Sequence, residues 1–488
     1  MRFLLFIIVA VVSACSANRQ SCECESKFEW VKKTFEENDA GFQYVIDKKG
    51  QATYNIHNQL TLEKVKTAKT LTECVVVLDE WLKFFRSGHI GIQCLTCGAP
   101  ASQDTSQTTN ETTWKGDISQ FEKYISEKKE ADLEGIFFYR WANQWATGTV
   151  KIGINKEGAD YVGFFMETGY TWKAQQIMLK ITQDGDKLNT ICYLENGIQV
   201  EVGEPELIGN NYLQIPQFYV LKRLSPVFPD DQLVENYIKN INSQEPFLEE
   251  LNVMTLYLRI PSFRINNKQA IDKILADNKE KILKTKNFII DLRNNSGGFD
   301  ATYAELLPFI YTNPIRIVGI ERLSTTQNNQ RFLEYSKEKY GYDEETRQWI
   351  KKTVDKLQDR LGKFANVDED IEEYVTIKRY DNVYEYPKNV GIIINKGCAS
   401  STEEFLLAAK QSKKVKLFGT NTWGAQDISN ILSIESPCKE FVLSYTMSRS
   451  LRIPDMVIDE VGLQPDYYID KTIPKYKWVE FVNDILNQ

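Results

Sequence analysis

Residues 395–405 read Asn-Lys-Gly-Cys-Ala-Ser-Ser-Thr-Glu-Glu-Phe, and this stretch decides the fold. The five residues before it, 390–394, are Val-Gly-Ile-Ile-Ile, an apolar β-branched run that predicts a buried strand. The residues that follow, Phe-Leu-Leu-Ala-Ala-Lys at 405–410, predict the start of a helix. The small residues Ala399 and Ser400 therefore fall at a strand-to-helix turn. In α/β folds, ligands and nucleophiles lie at such turns.

The serine turn has two interpretations. A hydroxyl at Ser400 would lie close to the first amides of a helix, which stabilise negative charge, and this suits a nucleophile. Alternatively, the hydroxyl residues at 400–402 only cap the helix, with Glu403 or Glu404 completing a capping box. The turn alone favours the cap, and other parts of the chain favour the nucleophile.

A second strand and a glycine loop lie upstream. Residues 287–293, Asn-Phe-Ile-Ile-Asp-Leu-Arg, predict a strand, and Asn-Asn-Ser-Gly-Gly-Phe follows. Glycine lets a backbone approach a ligand closely. The amides of Gly297 and Gly298, together with that of Ser401, could thus form an oxyanion hole. The alternative is a plain tight turn.

Length and composition indicate the number of domains and argue against nucleic-acid binding. The chain has 488 residues, which predicts two or three domains. Its net charge is -8, with lysine and arginine spread along the chain, so it has no basic footprint for nucleic acid.

The N-terminus predicts a targeting segment. Arg2 precedes the apolar run 3–12, which is about half the roughly 20 residues of a membrane span. The run ends Val-Ser-Ala-Cys, which resembles a bacterial lipobox. We therefore expect a signal peptide at 1–15, lipidation of Cys15, and a membrane-anchored protein of the bacterial cell envelope, in the periplasm or outer membrane. Ordinary secretion, with cleavage near Ala14 or Ala17, is the alternative.

The cysteines fit an exported protein. Without Cys15, eight of the nine remain, and an even number outside the cytoplasm allows disulfides. The pair Cys94-Leu-Thr-Cys97 could indicate a zinc site or a redox-active dithiol. Neither a second such pair nor histidines at zinc-ligand spacing accompany it. We expect structural disulfides, with their pairing left open, and no metal or cofactor.

The pattern along the chain predicts several domains. Residues 22–97 read as a helical domain that ends in a turn at His89, and 98–117 read as a polar linker. Short β-type runs in 118–222 predict a β-rich module, at the spacing of a small antiparallel sandwich or barrel. From 225 to 488 strands and helices alternate, with a charged helical insertion at about 324–386.

Four motifs in order resemble one family, the tail-specific (C-terminal processing) serine peptidases. They are Phe-Ile-Ile-Asp-Leu-Arg-Asn-Asn-Ser-Gly-Gly at 288–298, the serine stretch at 394–405, Gly-Thr-Asn-Thr-Trp-Gly at 419–424 and Gly-Leu-Gln-Pro-Asp at 462–466. The resemblance implies an α/β peptidase core with a ClpP/crotonase-like sheet and helices. It also implies a peptide or protein substrate that is bound near Trp423 and Gly424.

The resemblance further implies the catalytic residues. One branch of the family uses a Ser-Lys dyad, but Ala425 occupies the lysine position here. The tricorn-like branch uses Ser, His and an acid, which correspond to Ser400, to His89 in Gly-His-Ile-Gly, and to Asp459 or the adjacent Glu460. A serine hydroxyl needs such a base and an orienting carboxylate to attack a peptide carbonyl and form an acyl-enzyme. The other histidine, His57, is expected to be inert.

A second function class stays open. The same scaffold could serve a non-catalytic protein that binds peptides or lipophilic ligands. The alanine at position 425, where the Ser-Lys branch has its lysine, favours this alternative. The oligomeric state and the cleavage specificity are not predicted.

Overall fold

The structure is a computed structural model that describes residues 23–96, 113–142, 147–168, 172–185, 187–193, 199–216, 219–367 and 374–488. The expected signal peptide and Cys15 lie outside these residues, as do Cys97 and most of the expected linker. No helix within the described ranges combines the length and the apolar character that a membrane span requires.

The helices are α1 Cys24–Asn38, α2 Phe42–Lys49, α3 Gln51–Thr67, α4 Leu71–Lys83, α5 Ile118–Ser126, α6 Gln232–Asn242, α7 Ile265–Asp277, α8 Lys279–Ile282, α9 Leu307–Ile310, α10 Thr326–Glu334, α11 Glu344–Gln358, α12 Ser401–Ala409 and α13 Trp478–Asn487. Short 3-10 helices occupy Asp300–Leu306, Glu338–Tyr340 and Lys475–Lys477.

The strands are β1 Gly91–Cys94, β2 Gly135–Ala142, β3 Thr147–Glu157, β4 Asp160–Phe165, β5 Ile177–Asp184, β6 Lys187–Tyr193, β7 Gln199–Gly203, β8 Glu206–Ile208, β9 Tyr212–Ile215, β10 Tyr219–Ser225, β11 Phe247–Asn252, β12 Thr255–Arg259, β13 Asn287–Asp291, β14 Ile315–Val318, β15 Ile320–Leu323, β16 Phe364–Ala365, β17 Val375–Lys378, β18 Asn389–Ile394, β19 Val415–Gly419, β20 Ile428–Glu435, β21 Phe441–Ser450 and β22 Tyr467–Tyr468.

The chain forms two compact units, and each is built from separate segments. The first unit comprises Met1–Cys97, Gly319–Tyr374 and Asp427–Asp455; the second comprises the segments Gly98–Val318, Val375–Gln426 and Met456–Gln488. This division differs from the expected one in two ways. The N-terminal helices share a unit with the insertion, whereas the β-rich module shares a unit with the peptidase core.

Strand pairing explains the composition of the first unit. Strand β21 pairs with β20 along one edge, and its other edge pairs with β1 at residues 441–444 and with β15 at residues 448–450. Side chains from α1, α4, α11 and β21 form one buried cluster that includes Phe35, Trp81, Ile350 and Leu443. The helical domain therefore buries its apolar face against a sheet from the C-terminal third of the chain.

Disulfide bonds also link elements of this unit. Cys24 and Cys74 are joined, which links α1 to α4, and Cys94 and Cys438 are also disulfide-bonded. The expectation of structural disulfides is confirmed for these described cysteines.

The second unit contains the expected α/β core. Its six-stranded sheet has the order β11-β12-β13-β18-β19-β22, in which β12 to β22 run parallel and β11 pairs antiparallel with β12. In the register of β13 and β18, Ile289 lies opposite Gly391 and Asp291 opposite Ile393. Because parallel strands end at the same edge of a sheet, the glycine loop after β13 and the serine turn after β18 are neighbours.

The β-rich module is a single nine-stranded antiparallel sheet, with order β7-β6-β5-β4-β3-β2-β10-β9-β8 among the described residues. The expected β content is confirmed, but this one open sheet replaces the expected sandwich or barrel. Apolar residues of its strands, among them Phe137, Leu179 and Leu213, form their own buried cluster.

Candidate active site

Ser400 stands between β18 and α12 in a strained turn. Its φ is 58° and its ψ is -129°, a combination that residues with a side chain rarely adopt. A sharp turn of this kind presents a serine side chain at the carboxyl edge of an α/β sheet. Ser400 is half-buried, so its side chain keeps access to solvent.

The buried carboxylate of Glu403 holds this turn. It accepts a hydrogen bond from the amide of Ser400 at 3.1 Å, which is the helix-capping contact that the sequence predicted as one possibility. It also accepts from the Thr422 hydroxyl at 2.5 Å and from the amides of Gly424 and Ala425, each at 2.8 Å. Burial raises the pKa of Glu403, whereas these hydrogen bonds lower it, and burial prevails. The wider role of Glu403 was missed by the sequence analysis; its position three residues after Ser400 was the available signal.

The glycine loop lies against the serine turn. Gly297 has a φ of 93°, and a Cβ there would lie 2.6 Å from the Ala399 carbonyl oxygen and 2.8 Å from the Ser400 Cβ. Only glycine fits so close an approach. At Gly298 a Cβ would lie 2.3 Å from the backbone of Phe263, so the second glycine is required as well.

Asn295 fixes the distance between the loop and the turn. It is fully buried, and its carbonyl oxygen accepts from the Ala399 amide at 3.2 Å and from the Thr402 hydroxyl at 2.9 Å. Its side-chain oxygen accepts from the amide of Gly297 at 3.0 Å. The Gly297 amide is therefore engaged, which corrects the expectation that it donates to an oxyanion.

Two other amides are available for an oxyanion. Within the described part of the chain, the N–H groups of Gly298 and Ser401 donate to no acceptor. Gly298 follows Gly297, where an added Cβ would lie 2.8 Å from the Ser401 amide nitrogen, so the two amides belong to segments that lie against each other. Paired backbone donors of this kind stabilise the negative oxygen of a tetrahedral intermediate.

A buried ion pair supports the glycine loop from below. The Asp291 carboxylate accepts from Nη2 of Arg293 at 2.6 Å and from the Tyr257 hydroxyl at 2.9 Å. Burial acts to raise the pKa of Asp291, but the charges of Arg293 and Arg259 outweigh it and lower the pKa to about 2. The end of β13, where the glycine loop starts, is thus anchored by charge as well as by packing.

His89 belongs to the first unit. It has a φ of 60°, as its glycine-flanked turn suggested, and its Nδ1 lies 2.7 Å from the carbonyl oxygen of Ile428. Because a carbonyl can only accept, Nδ1 carries the proton and Nε2 is left as an acceptor. Burial lowers the pKa of His89, with a smaller contribution from Arg86, although the hydrogen bond to Ile428 acts in the opposite direction. The imidazole is thus held in the neutral tautomer that a general base needs.

The two candidate acids differ in their surroundings. Asp459 is half-buried and accepts a hydrogen bond from the Gln426 amide at 2.6 Å, whereas Glu460 is exposed with a φ of 68°. Their loop packs against Gly424, where a Cβ would lie 2.5 Å from the Ile458 carbonyl oxygen. Asp459 is consequently the more buried of the two residues.

Trp423 is exposed to solvent, whereas the backbone of Gly424 is engaged in hydrogen bonds. The Trp423 side chain is 40% exposed while its amide donates to the Cys398 carbonyl at 2.8 Å, so the ring is presented to solvent from a fixed backbone. The Gly424 amide is taken by Glu403, and its carbonyl accepts from Glu460, so Gly424 has a structural role. Ala425 is buried, and its carbonyl accepts from the Ser400 amide at 3.1 Å.

Comparison with known proteins concerns the part of the chain that contains Ser400. Residues 254–469 match the model of Peptidase family S41. This part of the chain belongs to peptidase family S41. The S41 peptidases are serine-type peptidases, and the matched residues contain the glycine loop, the serine turn and the acidic loop.

Individual S41 relatives are distant. The chain is 29% identical over 86 residues to a chloroplastic carboxyl-terminal-processing peptidase 2 of Arabidopsis thaliana, a stretch that covers 18% of this chain and 16% of that protein. The solved structure of mature CPAF complexed with lactacystin has 12% identity and a TM-score of 0.51, and covers 95% of this chain and 97% of that one. The tricorn protease has 12% identity and a TM-score of 0.39, and covers 95% of this chain and 36% of its own. The likeness to CPAF supports the fold alone.

Proposed function

We propose that this chain is a serine peptidase that hydrolyses peptide bonds through an acyl-enzyme on Ser400. The observation that carries the proposal is the strained Ser400 turn beside the two unengaged amides of Gly298 and Ser401. A serine in this conformation beside two backbone donors suits acyl transfer, because such donors stabilise the negative charge that develops on the carbonyl oxygen.

The steps assign a role to each residue. The Ser400 hydroxyl oxygen attacks the substrate carbonyl carbon while Nε2 of His89 takes the hydroxyl proton. The resulting oxyanion accepts hydrogen bonds from the amides of Gly298 and Ser401. When the C–N bond breaks, the imidazolium gives its proton to the leaving amine, and water then hydrolyses the ester by the same route.

His89 is the base in this proposal, with its ring oriented by the Ile428 carbonyl, which accepts from Nδ1, and Asp459 is the acid whose negative charge would stabilise the imidazolium. The Nδ1-protonated, neutral imidazole of His89 supports the first assignment, since its Nε2 is the acceptor. The half-buried position of Asp459 favours it over the exposed Glu460. The tricorn-like Ser/His/acid arrangement, rather than a Ser-Lys dyad, is supported by the buried alanine at 425.

The test is labelling with a fluorophosphonate, which reacts with activated serines, followed by mapping of the modified peptide. We expect one adduct, on Ser400, in the wild-type protein and none in Ser400→Ala. Ser336→Ala, at a surface turn where the hydroxyl donates to the Leu333 carbonyl, is the control and should label normally. A wild-type protein that is folded but unlabelled would favour the alternative of a non-catalytic binding protein.

We also propose that the protein is exported and lipid-anchored through Cys15 in a bacterial cell envelope. The Cys24–Cys74 disulfide and the bonded Cys94 and Cys438 support an oxidising compartment. The mass of the N-terminal peptide from protein expressed in a bacterium tests this. A diacylglyceryl adduct on Cys15 that is lost in Cys15→Ser is expected, and an unmodified Cys15 in membrane-free protein contradicts the anchor.

A further inference from the structure

The parallel sheet of the second unit has a lysine-rich amino edge, opposite the edge that carries Ser400. Strands β12, β13, β18 and β19 start in register, with Asn287 opposite Asn389 and Val390 opposite Val415. The segments just before β13, β18 and β19 supply seven lysines, which are Lys279, Lys281, Lys284, Lys286, Lys388, Lys413 and Lys414. Because the whole chain has a net charge of -8, this concentration of positive charge is local.

Backbone hydrogen bonds show that these segments are neighbours. The Lys388 amide donates to the Lys286 carbonyl at 2.9 Å, and the Val390 amide donates to the Lys414 carbonyl at 2.9 Å. The first amide of β13 donates to the carbonyl of Met254, the residue before β12, at 2.9 Å. A continuous row of backbone therefore runs along the amino edge from Met254 to Lys414.

Acidic side chains neutralise only part of the charge on this edge. Three of the lysines form ion pairs, and these are Lys281 with Glu250, Lys284 with Glu280, and Lys388 with Glu385. Among the residues that the structure describes, no acidic side chain pairs with Lys279, Lys286 or Lys413. Lys279 and Lys413 are also exposed. The edge thus keeps a positive charge that an anionic surface would neutralise.

An apolar turn projects from the same edge. Val253 and Met254 form the two-residue turn between β11 and β12, and Val253 is 97% exposed. Such turns normally carry glycine, asparagine or aspartate. Here the Asn252 side chain accepts from the Met254 amide at 2.9 Å, and Leu251, Val253 and Met254 are all exposed. The Thr285 hydroxyl donates to the Met254 carbonyl at 3.0 Å, so the turn is held beside the lysines.

We propose that the amino edge docks on a membrane surface that contains anionic lipids, with the lysines near the phosphate groups and the Val253–Met254 turn among the headgroups. Positive charge attracts anionic headgroups, and buried apolar side chains add to the affinity. An acidic protein would also attract the lysines. The apolar residues, however, project from the edge on a hairpin turn, and this shape favours insertion into lipid.

Docking in this way sets the direction in which the serine turn faces. The loops that contain Gly298 and Ser400 follow β13 and β18 at the carboxyl edge, about 15–20 Å from the amino edge for strands of this length. The serine turn would therefore face away from the lipid. The proposal depends neither on peptidase activity of Ser400 nor on lipidation of Cys15.

The experiment uses the full chain with Cys15→Ser, which cannot be lipidated, and measures its cosedimentation with vesicles. Binding should be stronger to mixed phosphatidylglycerol and phosphatidylcholine vesicles than to phosphatidylcholine alone, and should weaken as salt is added. Lys279→Glu combined with Lys413→Glu should lower the affinity for the mixed vesicles by roughly 10- to 100-fold. Val253→Asp should lower it by about 10-fold.

Lys471→Glu combined with Lys477→Glu is the matched control. Both lysines are exposed and lie on the segment that follows β22, where the Ile469 amide donates to the carbonyl of Gly419 at the carboxyl end of β19. This variant has the same change in net charge and should bind the mixed vesicles as its parent does.

Three outcomes would overturn the proposal: equal binding of the parent to both vesicle types, equal losses in the control and the amino-edge variants, or full binding by folded Val253→Asp. Binding to soluble polyglutamate but not to the mixed vesicles would assign the edge to an acidic protein instead. None of these outcomes bears on the labelling of Ser400, so failure here is distinguishable from failure of the proposed function.

Discussion

The carboxylate of Glu403 accepts a hydrogen bond from the amide of Ala425 at 2.8 Å, and it accepts another from the amide of Ser400. One buried side chain thus connects the start of α12 to the loop that carries Trp423. The left-handed φ of Ser400 is stabilised by this contact, because both the Glu403 carboxylate and the Ala425 carbonyl accept from the Ser400 amide.

Removal of the Glu403 carboxylate should destabilise the protein and inactivate the serine. Glu403→Ala leaves the amides of Gly424 and Ala425 without their buried acceptor, so we expect a loss of about 2–4 kcal/mol in the free energy of unfolding and slower labelling of Ser400. Urea denaturation and the fluorophosphonate rate measure the two effects. Glu403→Gln keeps an acceptor oxygen, so its stability and its labelling rate should lie between those of the wild-type protein and Glu403→Ala. Unchanged labelling in folded Glu403→Ala would show that the turn does not need this side chain.

A methyl group at Gly297 should disturb the serine turn directly. In Gly297→Ala the new Cβ would meet the Ala399 carbonyl oxygen and the Ser400 Cβ, and the residue would also hold a left-handed φ. We expect a loss of several kcal/mol, of which about 1–2 kcal/mol is backbone strain, and little labelling of Ser400.

Gly158→Ala is the matched control for this substitution. Gly158 has a φ of 67°, and a Cβ added there would meet nothing within 4 Å, so the variant carries the strain without the contact. Thermal unfolding should show a smaller loss of stability for Gly158→Ala than for Gly297→Ala, and Ser400 should be labelled normally in Gly158→Ala. Equal effects of the two substitutions would mean that the close approach at Gly297 is unimportant.

Activity should depend on the neutral form of His89. Burial lowers the pKa of His89 below its ordinary 6.5, and a base works only when it is unprotonated. The labelling rate of Ser400 should therefore fall as the pH falls, with a midpoint below 6.5, and His89→Ala should remove most of the rate at every pH. His57→Ala is the control, since the chain has two histidines and His57 contacts the Trp81 carbonyl instead. A midpoint well above 6.5 would speak against His89 as the base.

The ion pair below the glycine loop should contribute stability with a defined pH dependence. Asp291→Asn leaves the buried Arg293 without its counter-charge, so we expect a loss of about 3–5 kcal/mol. Because the pKa of Asp291 is lowered to about 2 in the folded state, the stabilisation is present above the ordinary aspartate range and is lost as the pH falls toward 2. Denaturation followed from about pH 7 to about pH 2.5 measures this.

The exposed pair of Lys273 and Asp277 provides the comparison. Asp277→Asn should change the free energy of unfolding by less than about 0.5 kcal/mol, since solvent-exposed ion pairs contribute little. If Asp291→Asn were as mild as Asp277→Asn, the buried pair would not anchor the end of β13.

Local pattern was sufficient for several features of the fold and site. The β-branched runs before Asn294 and Asn395 predicted two buried strands, and their parallel pairing brings the glycine loop to the serine turn. Glycines at 297 and 298 predicted a close approach to a ligand, and at Gly297 the structure shows a close approach to the serine turn. The glycines around His89 predicted its turn. These features depend on residues that are near one another in the sequence.

Other features depend on contacts between distant segments, and no local pattern reports them. Strand β21 pairs with β1, which lies near the other end of the chain, and this pairing places the N-terminal helices in one unit with the insertion. The side-chain oxygen of Asn295 accepts a hydrogen bond from the Gly297 amide, and this contact leaves the Gly298 amide as the glycine donor for an oxyanion.

The sequence by itself determined the strand-turn-helix around Ser400, because apolar β-branched runs, small turn residues and helix formers act locally. Only the tertiary structure decided how that turn is held. The Glu403 carboxylate is an ordinary capping residue in sequence, and it becomes the anchor of the site because folding brings Thr422, Gly424 and Ala425 to it in a buried place. A buried carboxylate requires donors, and a chain segment about 20 residues further along supplies them.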